Sequence, residues 1–262
     1  MAEGPILTVE DVYVRFGGVH AVDGAGFQVQ RGSVTALIGP NGAGKTTLFN
    51  VLTGFQRSER GHVIYDGARV TRRGPHAIAA RGMVRTFQLT KTLAALTVLE
   101  NMLIAAQRHP GERLTTVFAR PRAWRRRESE ACAQALELLD TFGLADKAGD
   151  HAGTLSGGQR KLLELARALM VEPRLLLLDE PMAGVNPSLG RRLLEHMERL
   201  RVEQGVTFLF IEHDMEVVMN HSDRVIVMAD GRVIADGEPQ AVRADRRVID
   251  AYLGTRREEP AA

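Results

Sequence analysis

The segment that most restricts this chain is Gly39-Pro40-Asn41-Gly42-Ala43-Gly44-Lys45-Thr46. It fits the spacing G-x-x-x-x-G-K-[ST]. The compact apolar run Ser33–Ile38 precedes it, and Leu48, Val51 and Leu52 follow at helical spacing. The order strand, glycine turn, helix has a physical consequence. Glycines let the backbone curl until several N–H groups point at one anion. The helix that starts near Lys45 adds the positive end of its dipole. Lys45 brings a full charge to the outer phosphates of a ligand, and the Thr46 hydroxyl is available to Mg²⁺. Gly39, Asn41, Gly42, Gly44, Lys45, Thr46 and Thr47 are therefore the candidate phosphate-binding residues.

Other short elements flank this centre. Ile6–Val14 and Gly26–Val29 alternate loosely as strands. Asp66-Gly67 and Asp230-Gly231 each separate two short apolar runs, the pattern of a hairpin. Residues 92–148 are mainly helical in pattern, with Leu96, Leu99 and Leu103 in one stripe and Ala131, Leu136 and Leu139 in another. Between these stripes, Arg108–Arg127 is polar, proline-containing and arginine-rich, and reads as a loop or loosely held insertion. Its Arg120, Arg122, Arg125, Arg126 and Arg127 could face lipid phosphates or a partner, but charge runs are usually solvated faces.

A second chemical feature is Leu175–Leu178 followed by Asp179-Glu180. An apolar strand of this kind leaves its last residues at the carboxyl edge of a parallel sheet, where ligands of α/β folds bind. Downstream of a phosphate loop, Asp179 is read as holding Mg²⁺ through water, and Glu180 as the general base on an attacking water. A third is Leu155-Ser156-Gly157-Gly158-Gln159 ahead of an amphipathic stretch. Ser156 can cap that helix with Gln159 in capping-box position. The same bare glycine amides and hydroxyl make a second anion site. One ligand within one chain has no obvious need of both.

Taken together, these motifs and their order resemble the ABC ATPase family over nearly the whole chain. The resemblance implies a head-to-tail pair of ATPase subunits with two sandwiched ATP molecules. In that arrangement Ser156, Gly157, Gly158 and Gln159 of one subunit close over the phosphate held by the other. It also implies roles that the residues alone do not carry. Phe16 corresponds to the aromatic that stacks on adenine. Gln88, in Arg85-Thr86-Phe87-Gln88, corresponds to the glutamine that senses Mg²⁺ and the attacking water. His213, after Thr207–Ile211, corresponds to the histidine that contacts the γ-phosphate. The implied catalytic set is thus Glu180, His213 and Gln88, and the metal set Thr46, Gln88 and Asp179, with ATP and Mg²⁺ as cofactors. One departure stands out: Asn186 occupies a position where most members carry aspartate. Asparagine keeps an acceptor, adds two donors and loses the charge.

The finer details are similar to ATP-binding subunits of branched-chain amino acid importers. They are Arg85–Gln88, Ala183–Pro187, Ile211–Met215, the Arg108–Arg127 insertion and the run Val248–Gly254. Lipopolysaccharide-export and urea or amide systems share several of these. A soluble ABC ATPase fits less well, since this chain has one phosphate loop, one signature and no long coiled-coil insertion. The expected fold is α/β, a P-loop NTPase of ABC type. It has a mixed core sheet, an antiparallel β subdomain and a helical subdomain at about 90–165. Residues 1–255 are expected to form a single nucleotide-binding domain, and 256–262 a flexible tail.

Bulk properties fit that expectation. The chain has 262 residues, 44% of them hydrophobic, enough for a sizeable core. Its formal net charge of +2 makes no demand for nucleic acid. The lone Cys132 cannot form an internal disulfide and fits a reducing compartment. Neither a signal peptide nor an apolar run long enough to cross a bilayer is apparent. The expected partners are transmembrane permease subunits, a second ATPase subunit and an extracytoplasmic binding protein. The expected place is the cytoplasmic face of the membrane.

Overall fold

The structure, a computed structural model, describes residues 4–86, 93–106 and 121–254, with side chains omitted for 121–124 and 253–254. These residues fall into two compact units. The first comprises the described residues within Met1–Arg85, Arg174–Met182 and Met197–Ala262; the second those within Thr86–Pro173 and Ala183–His196.

The first unit is built on two sheets. Strands β1 (Leu7–Phe16) and β2 (Val19–Val29) pair antiparallel across the turn at Gly17-Gly18. Strand β4 (Arg60–Tyr65) joins the other edge of β1, and β5 (Ala68–Arg69) completes the order β2-β1-β4-β5. The β4–β5 turn places Asp66 at φ 48° and Gly67 at φ 71°. Both central residues of a tight right-twisted hairpin need positive φ, which is why Asp-Gly forms it.

The second sheet runs β10-β9-β3-β8-β7-β6. Its members are β3 (Val34–Ile38), β6 (Met83–Arg85), β7 (Leu175–Asp179), β8 (Thr207–Ile211), β9 (Arg224–Ala229) and β10 (Arg232–Gly237). All neighbours are parallel except the β9–β10 hairpin. Every residue of β3, β7 and β8 is buried. Strands covered on both faces lose the polar alternation and become continuous apolar runs, as Leu175–Leu178 and Phe208–Ile211 are. Helix α1 (Lys45–Leu52) buries Leu48, Phe49, Val51 and Leu52 in a core shared with Leu37, Tyr65, Leu177 and Leu209. The expected mixed sheet and antiparallel β layer are both present.

In the second unit, helix α3 (Val98–Ala105) starts with a complete Thr97–Glu100 capping box; the short α2 (Pro75–Ala79) belongs to the first unit. Asn101 is fully buried, and its amide is satisfied by Leu93 N and O and Thr97 O at 2.9–3.1 Å. Helix α4 (Pro121–Thr141) corrects one expectation, because the arginine-rich stretch is helical from Pro121 onward. Proline suits a first helical turn and arginine is a good helix former, so polarity misled the loop reading. Residues 107–120 lie outside the described set. A second correction concerns the stripe: α4 buries Ala135 and Leu139, whereas Leu136 is exposed, one residue out of phase. Helix α5 (Gly157–Leu169) buries Leu162, Leu163, Leu165, Ala166 and Leu169. Among the described residues no helix is long and apolar enough to cross a membrane.

Candidate active site

The turn between β3 and α1 is shaped by what surrounds it. Gly39, Gly42 and Gly44 have φ of 149°, 81° and 94°. A Cβ on Gly39 would lie 2.1 Å from Met228 O, and one on Gly44 would lie 2.1 Å from Ala21 O. Backbone stands where a side chain would go, so these two positions require glycine on steric and conformational grounds together. The turn is further pinned by Gly231 N, which donates to Ala43 O at 3.2 Å. The Gly39 N–H also donates to the hydroxyl of Tyr252 on the helix Arg246–Gly254.

Lys45 is buried, and its Nζ donates to Gly39 O at 2.7 Å and Pro40 O at 2.9 Å. Burial depresses its pKa, while the charges of Glu180 and Asp179 oppose the fall. The cation is thus held by two carbonyls of its own loop, with Asp179 and Glu180 within its field. Asn41, Gly42 and Thr46 are exposed around it, and Thr47 is half-buried.

Asp179, the last residue of β7, is 5% exposed. Its Oδ2 accepts from Arg85 Nη2 at 2.6 Å, and Arg85 Nη1 donates to Asn50 Oδ1 at 2.5 Å. Arg85 also lies over the Phe49 ring, 5.6 Å from its centroid. One guanidinium therefore ties the end of β6 to the end of β7 and to helix α1. Glu180 follows at φ 49°. Its Oε1 lies 2.9 Å from His213 Nε2. The structure thus brings together the expected base and the expected histidine, 33 residues apart in sequence. Beside them Glu212 is buried, accepting from Met182 N at 2.7 Å and His213 N at 3.2 Å. Burial pushes its carboxyl up, the two N–H donors pull it down, and the nearby Glu180 charge pushes it up again.

Phe16 ends β1 and is 52% exposed. Gln88 lies outside the described residues. In the second unit, Ser156 caps α5: its Oγ accepts from Gln159 N at 3.2 Å, and Gln159 Oε1 accepts from Ser156 N at 2.9 Å. Ser156 and Gly157 are exposed, and a Cβ on Gly157 would meet nothing within 4 Å. Gly158 is closed on one side by Leu189. Asn186 caps α6 (Pro187–Gln204), its Oδ1 accepting from Leu189 N at 2.9 Å and Ser188 Oγ at 2.8 Å. That is a role asparagine fills as well as aspartate.

Sequence reasoning missed Arg85, Asn50, Glu212 and Tyr252 as parts of this site. Arg85 and Glu212 sat inside quoted motifs, but nothing local showed what they hold. Asn50 and Tyr252 gave no signal of their own.

A glycine cradle with its own cation, beside two acids at the carboxyl edge of parallel strands, defines a nucleoside triphosphatase of the phosphate-loop class. The comparisons narrow this. The ABC transporter family profile matches residues 22–183, and a second profile, branched-chain amino acid ATP-binding cassette transporter, matches residues 232–258. The chain belongs to the ABC transporter ATPase family. It is 44% identical to the high-affinity branched-chain amino acid transport ATP-binding protein BraF of Pseudomonas aeruginosa, over 95% of this chain and 98% of that one. It is 41% identical to the probable branched-chain amino acid transport ATP-binding protein LivG of Archaeoglobus fulgidus, over 97% of each chain. Among solved structures it resembles an ATP-binding cassette of an ABC transporter in its ADP conformation. There the TM-score is 0.83 at 40% identity, covering 96% of this chain and 99% of that one. This chain is an ABC-type ATPase.

Proposed function

We propose that this chain is the ATP-hydrolysing motor of an importer for branched-chain or related small amino acids. It works at the cytoplasmic face of the membrane, on transmembrane permease subunits fed by an extracytoplasmic binding protein. The observation that carries the motor reading is the convergence of Lys45, Asp179, Glu180 and His213 at the carboxyl edge of β3, β7 and β8. The cargo reading rests on similarity to BraF and LivG.

The roles follow from the chemistry of each group. The cradle amides and Lys45 bind the outer phosphates, and the ammonium can leave its two loop carbonyls for phosphate oxygens. Phe16 stacks on the base. Glu180 takes the proton of the attacking water. His213, hydrogen-bonded to Glu180, orients that carboxylate and reaches the γ-phosphate. Thr46 and Asp179 supply hard oxygen donors that suit Mg²⁺, with Gln88 as a further donor. When bound, Mg²⁺ neutralises charge building between the phosphates. The Ser156–Gln159 signature offers exposed amides at a helix N-terminus to the nucleotide of a second ATPase subunit, identical or homologous.

The test is uptake of labelled leucine, isoleucine and valine in cells lacking the gene. Uptake should fall and should return with the wild-type chain but not with Glu180→Gln. Unchanged uptake with an envelope defect would point to lipopolysaccharide export, and lost use of urea or amides would change only the cargo.

A further inference from the structure

The base Glu180 stands in a backbone conformation that a side-chain-bearing residue rarely adopts, at φ 49°. Such a residue persists only where its surroundings over-determine it. Two anchors do so here. The Glu180 N–H donates to Ile211 O at 3.0 Å, extending the β7–β8 ladder by one bond. Two residues further on, Met182 N–H donates to Glu212 Oε1 at 2.7 Å. The β7–β8 pairing itself ends at Asp179 and Ile211, so the second anchor holds the chain beyond the end of the ladder. The other oxygen of the same carboxylate accepts from His213 N at 3.2 Å. Glu212 is only 4% exposed, so burying this carboxylate is costly unless both oxygens are used. It lies one residue from the histidine whose ring meets Glu180 at 2.9 Å.

We infer that Glu212 is a positioning residue for hydrolysis. It is a buried clip whose two oxygens fix the chain after Glu180 and the chain at His213 in one register, and so set the base against the histidine. Buried as it is, it acts through Glu180 and His213, the two residues proposed to meet water and nucleotide. The inference rests on the proposed roles of Glu180 and His213.

The Glu212→Gln variant tests it. Glutamine keeps length and volume, but its amide has one acceptor and presents an NH₂ to the second N–H, so one anchor is lost. Misplacement of reacting groups by about 1 Å costs on the order of a hundredfold, and the loss expected here is about tenfold or more in kcat of the full chain in its transporter complex. ADP affinity and the KM for ATP should stay within about threefold, the pattern of an interaction felt only in the transition state. Amide exchange at Met182 should quicken in the same variant. If Glu212→Gln does not fold, Glu212→Asp carries the test: the charge is kept, the arm is one methylene shorter, and the same split is expected. An unchanged kcat, or kcat and nucleotide affinity falling in parallel, would overturn the inference. Glu180→Gln measured alongside separates the two levels. Retained turnover there sinks the reading of the base. Lost turnover there with normal Glu212 variants sinks only the clip.

Discussion

The cradle at Gly39–Thr46 and the signature at Ser156–Gln159 are both glycine-bearing helix N-termini, yet they are built in opposite ways. In the cradle, neighbouring backbone crowds the glycines, with Ala21 O and Met228 O standing where a Cβ would be. A buried lysine lies inside the loop, already bonded to two of its carbonyls. The signature has no cation in its capping box, and Gly157 faces open space. Its hydroxyl and glutamine are engaged with each other's backbone, leaving Gly157 exposed and Gly158 closed on one side by Leu189. The first device carries its cation within its own loop, which fits the proposal that it holds a triphosphate alone. The second is closed on itself by its capping box, which fits the proposal that its ligand is brought by another subunit.

Identical substitutions should therefore have unlike effects. Gly44→Ala sets a Cβ against a carbonyl at a positive φ of 94°, and should cost about 3 kcal/mol or more in unfolding free energy. Gly157→Ala meets nothing and should stay within about 0.5 kcal/mol. Chemical denaturation of the two variants measures the contrast, and equal losses would erase it. Next in size is Lys45→Ala. Removing a charge-assisted contact of about 1.5–3 kcal/mol should weaken nucleotide binding roughly ten- to a hundredfold, read by titration calorimetry. No comparable loss is expected in an isolated subunit altered at the signature. Ser156→Ala should instead cost about 1 kcal/mol of stability through the lost cap, with nucleotide affinity unchanged. The smallest effect belongs to Asn186→Asp. Both residues cap α6, so stability should move by only about 0.5 kcal/mol or less in urea unfolding.

The same contrast explains what the sequence revealed. The cradle, the Asp179-Glu180 pair and the capping box were legible because each is contiguous, and its spacing alone carries its geometry. The two Asp-Gly hairpins were legible because positive φ selects those residues. The clamps on the site were not. Arg85 meets Asp179 across 94 positions, and Glu212 meets Met182 across 30. Side-chain partners that distant are set by strand order, and no local pattern encodes them. Leu136 was misplaced for a milder reason: in a helix one residue is about 100° of rotation, enough to turn an apolar side chain out of a buried stripe. Asn186 looked like a lost charge in the sequence, whereas its acceptor oxygen is what the helix uses.

The central claim is that the two devices meet across two subunits, one holding the phosphates and the other closing over them. Sedimentation of the Glu180→Gln chain with and without ATP tests it most directly. That variant keeps the cradle but lacks the proposed base, so ATP should drive association into a stable pair with the second ATPase subunit or another copy. Adding Ser156→Arg, which sets a bulky cation against the exposed amides, should leave ATP binding intact and abolish the association. Association that persists undiminished with Ser156→Arg would contradict the claim.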